Sequence, residues 1–324
     1  MSLSVVIPVF DERENLPILH TQLVESLRHV DPEFELIFVD DGSTDGSGEF
    51  LESLAVQDAR TKVIRFRKNF GLTAAFAAGI RYATHDIVIT LDADLQNDPH
   101  DIPLLVETLR RHDYDAVCGW RYNREDSFFS RTLPSVIANK IIAWTTKVPI
   151  HDTGCSLRAY KKEIIQEIEL YGEMHRFLPA LINWIGGKIG EVKVTHHPRK
   201  FGKSKADLRR TLKVILDLMT VKFLRDYSTK PNYIFGGFGL FNLSLSFIAF
   251  VIVAYRALIL GRPEATPMVF FMVIFFLVGF LSIFVGLLAE LLIHASHEAQ
   301  KRPAYHIKST TNIGVNDRRA AWKD

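Results

Sequence analysis

Five short apolar runs punctuate the first 121 residues: SVVIPVF (4–10), ELIFVDD (35–41), KVIRF (62–66), DIVITLDAD (86–94) and DAVCGWR (115–121). They are near-continuous rather than alternating, which predicts strands of a sheet covered on both faces. Between them lie ENLPILHTQLVESLRHV, SGEFLESLAVQ, GLTAAFAAGIRYA and DIPLLVETLRRH, each with apolar positions at helical spacing and each following Asp, Ser, Asn or Gly near its start. This βαβα order predicts an α/β fold with a mostly parallel, right-handed, doubly wound sheet. Residues 122–205 are less regular. Helices are expected around 133–146, 161–169 and 175–186, with the strand order there left open.

The pattern changes after residue 205. Residues 206–228 place Leu208, Leu212, Ile215, Leu216, Met219 and Phe223 along one helical face with basic residues elsewhere, as in an interfacial helix. Residues 233–255 and 267–289 contain no charge. At ~1.5 Å per residue, about twenty residues cross the ~30 Å hydrocarbon layer, so each stretch predicts a membrane span. Only GRPEAT and its neighbours separate them, which predicts a helical hairpin with both outer ends on one side. Lys222, Arg225 and Lys230 before it, and Lys301 and Arg302 after it, put that side in the cytoplasm, while Arg256 and Arg262 in the turn weaken the asymmetry. Gly236, Gly237, Gly239, Ser244, Ser246, Gly279 and Gly286 permit close helix packing, within the hairpin or between copies of the chain.

Composition narrows the class. The chain has 324 residues and 48% hydrophobic content, which excludes disorder and collagen-like repeats. Its net charge of +2 conceals a basic stretch, residues 199–230, with ten Lys or Arg against three Asp, which should seek anions. Cys118 and Cys155 have no CxxC spacing, so neither a disulfide framework nor a zinc site is expected, and a reducing compartment fits. No basic stretch precedes the first apolar run. It reads as a core strand rather than a signal peptide, and the first domain is expected on the cytoplasmic side.

In doubly wound sheets, ligands bind outside the carboxyl ends of the strands. Here those ends carry Asp11 and Glu12, Asp40 and Asp41, Asn69 and Gly71, and Asp92, Asp94 and Gln96. Asp92-Ala93-Asp94 is read as the end of an extended strand, with both carboxylates facing one site about 6–7 Å apart at the backbone. That suits Mg2+ or Mn2+, which is usually held by one or two carboxylates plus substrate phosphates. Asp40 and Asp41 could cap the following helix, or accept hydrogen bonds from a nucleobase or ribose. Pro8, Phe10 and Glu12 would form a wall for the base, and Lys68 is placed with the nucleotide site. In HHPRKFGKSKA (196–206), Arg199, Lys203, Ser204 and Lys205 fit phosphate. Arg121, Arg124 and Arg131 form a second basic group that is either a phosphate pocket or plain surface. Asp152, beside His151, is a candidate acid or base.

VVIPVFDERENL, IFVDDGSTDGS, RKNFGLTAAFAAG, TLDADLQNDP, DTGCSLRAYKKE and HHPRKFGKSKA, in this order and followed by the hairpin, resemble the polyprenyl-phosphate glycosyltransferases of inverting glycosyltransferase family 2. Bactoprenol glucosyltransferases and dolichol-phosphate mannose synthases are the nearest types. The resemblance implies a GT-A fold, with Pro8, Phe10, Glu12, Asp40 and Asp41 around the nucleoside and Asp92, Asp94 and Gln96 around the metal. It implies that Arg121, Arg131, Ser135, Arg199 and Lys205 meet phosphates. The expected organisation is a cytoplasmic catalytic domain (1–205, divided at 120 into nucleotide and acceptor halves), an interfacial helix (206–230), two spans (231–295) and a cytoplasmic tail (296–324). The QxxRW motif of processive synthases is absent from the sequence, so transfer is expected to be single.

The expected reaction moves glucose from UDP-glucose to polyprenyl phosphate, with Asp94, Asp152, Arg131, Arg199 and Lys205 in the catalytic set. GDP-mannose is the alternative donor. A membrane-bound nucleotidyltransferase and a non-catalytic nucleotide-binding anchor are the competing classes. Expected partners are the nucleotide sugar, the lipid phosphate, a bacterial inner or plasma membrane and copies of the chain itself, with no nucleic acid.

Overall fold

The computed structural model describes residues 2–28, 30–122, 148, 150–170, 174–198, 232–258, 267–298 and 305–313. The chain divides into two units, Met1–Leu218 with Pro303–Asp324, and Met219–Arg302.

The first unit is built on an eight-stranded sheet: β1 (Leu3–Val9), β2 (Phe34–Asp40), β3 (Thr61–Phe66), β4 (Ile87–Thr90), β5 (Ala116–Arg121), β6 (Arg158–Lys161), β7 (Ile189–Val194) and β8 (Ile307–Thr311). Their spatial order is β7-β5-β6-β4-β1-β2-β3-β8. The β4-β1-β2-β3 block is parallel, β5 and β7 pair in parallel, and β6 and β8 run antiparallel to their neighbours. The mostly parallel expectation therefore holds.

Successive side chains along β1 enter opposite cores. Val5, Ile7 and Val9 pack with Leu16, Leu19 and Leu23 of α1 (Leu16–Arg28), whereas Val6 packs with Ala75, Ala78 and Ile80 of α3 (Leu72–Tyr82). Two covered faces explain why the strand reads as a continuous apolar run. The first face also takes α2 (Ser47–Gln57) and α4 (Ile102–Arg111), and the second takes α5 (Lys162–Gln166) and α6 (Leu178–Trp184). Gly79 lets α3 lie directly on the sheet, because a Cβ there would collide with the Val6 side chain.

Two details differ from the sequence reading. β4 ends at Thr90, so Asp92-Ala93-Asp94 lies on a turn and not on extended backbone; Leu95 closes that turn in the left-handed region at φ 60°. The segment expected to be a simple tail supplies β8, which covers the otherwise open edge of β3. It moves the edge of the sheet from the buried, apolar β3 to a short strand, Ile307–Thr311, and short edge strands are one way of limiting edge-to-edge pairing. The regions expected as helices at 133–146 and 206–228 lie outside the described residues.

The second unit contains α7 (Asn232–Leu258) and α8 (Pro267–Glu298). Phe235–Leu258 and Pro267–Ala289 are long and apolar enough to cross a membrane. Their surfaces expose Phe241, Phe247, Phe271, Phe276 and Phe280, as lipid-facing helices do. Gly239 and Gly279 form the contact between them: a Cβ on either would lie 2.7–2.8 Å from the carbonyl oxygen of the other. Ser246 Oγ adds a hydrogen bond across the pair to Met272 O at 2.8 Å. Three of the small residues noted in the sequence, Gly239, Ser246 and Gly279, thus serve contacts within the hairpin.

At the opposite end of the sheet from the strand carboxyl termini, Glu35 is buried among donors. It accepts from Ser4 Oγ (2.5 Å), Thr84 N (2.8 Å) and Thr84 Oγ1 (2.9 Å), and pairs with Lys62 Nζ at 2.6 Å. Burial alone would raise its pKa, but the Lys62, Ser4 and Thr84 hydrogen bonds outweigh it and hold the carboxyl below 4.5. A carboxylate depressed in the folded state contributes its full stability above the unfolded value and loses it as pH falls through the folded one. Glu35→Ala is therefore expected to cost roughly 3 kcal/mol or more at pH 7. The difference from wild type should shrink below pH 4.5, as checked by denaturant unfolding of the two proteins across that range.

Candidate active site at the carboxyl rim of the sheet

The parallel strands end together, so the segments following β1, β2, β3, β4, β5 and β7 share one rim. The antiparallel β6 begins there, which brings its preceding turn, residues 152–156, to the same place.

Two of the rim loops are stitched to each other. Asp11 N donates to Ser43 Oγ (3.0 Å), Thr44 N to Asp11 Oδ1 (2.8 Å), Glu12 N to Ser47 Oγ (3.1 Å) and Arg13 N to Asp45 Oδ2 (3.0 Å). Asp11 holds this geometry in the left-handed region at φ 52°, a conformation Asp tolerates better than most residues. Pro8 is buried in β1, and Phe10 and Glu12 are half-buried where the strand runs out.

Asp40 and Asp41 have different surroundings. Asp40 is buried, with Oδ1 accepting from Ser43 N at 2.9 Å and Oδ2 paired with Arg65 at 3.1 Å. Arg65 also pairs with Glu49 and Glu52, so Asp40 belongs to a structural ion-pair network. Asp41 accepts from Phe70 N (2.6 Å) and Gly71 N (2.9 Å). Burial, partly offset by those two bonds, raises its pKa, and the neighbouring Asp40 charge adds to the rise. Each carboxylate oxygen has two lone pairs, so Asp41 retains acceptor capacity for a nucleoside. Gly42, at φ 75°, lets the 67–71 loop approach: a Cβ there would lie 2.5 Å from Lys68 C. Lys68 is exposed on that loop.

Asp94 is buried and its Oδ1 accepts from Gln96 N at 3.1 Å, while Asp92 and Gln96 are half-buried. Ser156, a residue given no role by the sequence reading, ties this turn to β6. Its Oγ accepts from Asp92 N (3.3 Å) and Asn97 Nδ2 (3.0 Å), and its carbonyl accepts from Thr90 Oγ1 (2.7 Å). On the other side, Asn97 bridges His196, His197 N donates to Gln96 O (2.8 Å), and the His197 ring meets Asp98 Oδ2 (3.0 Å). The acidic turn and the start of the basic HHPRKFGKSKA segment are therefore adjacent.

Arg121 and Asp152 form a bidentate pair, Nε to Oδ2 at 2.7 Å and Nη2 to Oδ1 at 2.9 Å. Burial works against the guanidinium charge, but the Asp152 bonds, with help from the nearby Asp92 carboxylate, shift its pKa upward. Asp152 Oδ1 also accepts from Gly154 N at 3.0 Å. A carboxylate engaged at both oxygens by a cation is poorly suited to removing protons and well suited to aiming that cation. Arg158, at the start of β6, is a second buried cation and donates to the carbonyls of Thr153 (2.5 Å) and His175 (3.0 Å). The His175 ring in turn meets Thr73 Oγ1 on the first turn of α3 at 2.7 Å. Cys118 and Cys155 are buried thiols, raised by burial to about 12 and about 11, and are packing residues.

Among the described residues no three His, Cys, Asp or Glu side chains gather into a metal cage. Two carboxylates, Asp92 and Asp94, are the kind of donor set that Mg2+ or Mn2+ uses when substrate phosphates and water complete its shell. Arg131, Ser135, Arg199, Lys203, Ser204 and Lys205, all expected at phosphates, lie outside the described residues, as does Arg124.

The family model for "Glycosyl transferase family 2" matches residues 4–169, from β1 through the acidic turn and the Asp152 turn to just beyond α5. The chain belongs to glycosyl transferase family 2. It is 38% identical over 315 residues to a dodecaprenyl-phosphate galacturonate synthase of Rhizobium johnstonii, covering 95% of this chain and 92% of the relative. It is 35% identical over 313 residues to an undecaprenyl-phosphate 4-deoxy-4-formamido-L-arabinose transferase of Proteus mirabilis, covering 96% and 94%. The resemblance to polyprenyl-phosphate glycosyltransferases is thus borne out, although neither relative is named for glucose. A glucosyl-3-phosphoglycerate synthase from Mycobacterium tuberculosis, solved with Mn2+, UDP and glucosyl-3-phosphoglycerate, shares the fold: TM-score 0.51 at 16% identity, covering 69% of this chain and 79% of that one. The first unit of this family 2 chain is GT-A-like.

Because Asp152 and Arg121 satisfy each other in a buried setting, they should act as one unit in glycosyl transfer. Arg121→Ala and Asp152→Ala are each expected to lower kcat/KM on the order of a hundredfold. The double variant should fall little further, and additive losses in that cycle would show that the two side chains act separately.

Proposed function

We propose that this family 2 chain transfers a sugar from a uridine diphosphate donor to the phosphate of a polyprenyl lipid, once per acceptor and with inversion. The observation that carries the reading is the junction at the rim, where the Asp92–Asn97 turn is bridged to His196 and His197 at the head of the basic run. That junction ties a turn with two carboxylates, suited to a metal-bound diphosphate, to His196 and His197, from which the sequence runs on into cations suited to a second phosphate. The hairpin adds a reason for the second phosphate to belong to a lipid.

Asp92 and Asp94 would hold Mg2+ or Mn2+, with Gln96 beside them; the Mn2+ and UDP bound to the structural neighbour support this choice. Such an ion supplies Lewis-acid stabilisation of the departing diphosphate. Asp41, Pro8, Phe10, Glu12 and Lys68 would enclose the nucleoside, with Asp40 fixing the loop from beneath. Arg121, aimed by Asp152, would face phosphate together with Arg131, Ser135, Arg199, Lys203, Ser204 and Lys205. A phosphate monoester has a second pKa of ~6 and is largely dianionic at neutral pH, so it needs no strong base. The cations offset the repulsion between two anionic reactants and hold them in line for attack on an oxocarbenium-like centre.

The two relatives broaden the sugar beyond glucose, to galacturonate and 4-deoxy-4-formamido-L-arabinose. Two consecutive spans would cross out and back and leave both outer ends of the hairpin on one side of the membrane. With the flanking Lys and Arg residues, this supports a cytoplasmic catalytic unit on a bacterial inner membrane.

The test is transfer by purified protein to polyprenyl phosphate from UDP-glucose, UDP-galacturonate, UDP-4-deoxy-4-formamido-L-arabinose and GDP-mannose, each with Mg2+ or Mn2+. Lipid-linked sugar from one UDP donor is expected, reduced by at least about a hundredfold in Asp94→Ala. Product from GDP-mannose alone would correct the base and sugar. Pyrophosphate release without glycolipid would replace the reading with a nucleotidyltransferase.

A further inference from the structure

The segment that follows the hairpin does more than close the sheet edge. β8 runs antiparallel to β3, so its beginning lies at the carboxyl rim: Ile307 pairs with Phe66, and His306 O accepts from Arg67 N at 3.1 Å. Just ahead of it, the buried Tyr305 ring stacks on Phe66 at 4.9 Å and 17°. Phe66 meets Phe70 edge-to-face at 5.7 Å, and Phe70 meets the exposed His306 ring at 5.9 Å. The far end of the strand is pinned as well, since Asn312 Nδ2 donates to Ala55 O (2.6 Å) and Thr61 O (2.9 Å), and Ile313 is buried.

The loop between β3 and α3 is thereby held from two sides. Its inner side is fixed by Asp41, which accepts from the amides of Phe70 and Gly71, and by the close approach of Lys68 to Gly42. Its outer side rests on Tyr305 and His306 through Phe66 and Phe70. Residues 67–69 are themselves exposed, and nothing in their own composition would fix them.

We propose that Tyr305 and His306 are positioning residues for nucleotide binding, holding the 67–71 loop so that Asp41 and Lys68 keep the geometry that receives the nucleoside. The C-terminal segment is then a working part of the donor site, contributed from the far side of the hairpin in sequence. This rests on the assignment of Asp41 and Lys68 to the nucleoside. A protein whose competent loop conformation is only fractionally populated binds with an apparent Kd raised by the inverse of that fraction. Removing the Tyr305 ring should therefore weaken donor binding while leaving turnover at saturation unchanged. The usual strength of an aromatic pair corresponds to roughly three- to tenfold.

The test uses the full chain purified in detergent with Mg2+, titrated with UDP and with GDP by calorimetry, and assayed for donor KM and kcat. Tyr305→Ala is expected to raise both the UDP Kd and the donor KM three- to tenfold with kcat within about twofold, and Tyr305→Phe to stay near wild type. His306→Ala, an exposed change, should raise both about twofold to threefold, and it decides the matter if Tyr305→Ala fails to fold. Unchanged Kd and KM in the folded variants, or a loss confined to kcat, would overturn the inference while leaving the nucleoside site standing. A wild type that binds neither UDP nor GDP would overturn the nucleoside assignment and this inference with it.

Discussion

Everything in the catalytic unit follows from a sheet that is sealed on both faces. β1 from Leu3 to Val9 and β2 from Phe34 to Asp40 are buried along their whole lengths, with alternate side chains committed to two separate cores. Along such strands the backbone groups are consumed by the ladder, and a polar side chain survives only where a partner is supplied. Ser4 and Glu35 show the cost of an exception, since they need Lys62 and Thr84 to satisfy them. Chemistry is pushed to the strand ends, and the parallel arrangement gathers those ends on one rim.

The rim is rich in acids, but most of them are structural. Asp45 and Asp11 knit the first two loops together, Asp40 is spent on Arg65 and Ser43, and Asp152 is spent on Arg121. Surface loops are ordinarily mobile, and a binding site needs its groups held within a fraction of an ångström. Carboxylates that accept from backbone amides supply that rigidity with short side chains. Buried cations do the complementary work: Arg65 crosses from β3 to α2, and Arg158 ties the Asp152 turn to the segment before α6. The acids proposed to meet substrate or metal are a smaller set, Glu12, Asp41, Asp92 and Asp94, set among these scaffold acids.

The tail carries the same logic to the edge of the sheet. Without β8, β3 would be an open edge and Phe66 and Phe70 would lack their outer partners. The chain that makes the hairpin thus also completes the sheet, and Met1–Leu218 and Pro303–Asp324 form a single unit although 84 residues of the other unit, Met219–Arg302, separate them.

Much of this was legible from residue order alone. Periodicity located β1 to β5 and the four helices between and beside them, because burial on both faces writes an unbroken apolar run and burial on one helical face writes a 3.6-residue stripe. The rule that ligands sit at carboxyl ends pointed to Asp41, Asp92 and Asp94, and the charge-free stretches announced the hairpin. Tertiary structure decided the division of labour among like residues. Asp40 and Asp41 are neighbours with the same side chain, and only the position of Arg65 on β3 and of the Phe70 amide separates scaffold from candidate ligand. Likewise the sequence leaves Asp152 open between acid, base and orienting roles, and only the fold shows Arg121 across from it; Ser156 carries no signal until β6 lies beside β4. Local sequence determines which elements form and where polar ends occur. Which partner meets each polar group depends on strand order and on residues 25 to 251 positions away, a matter no local pattern encodes.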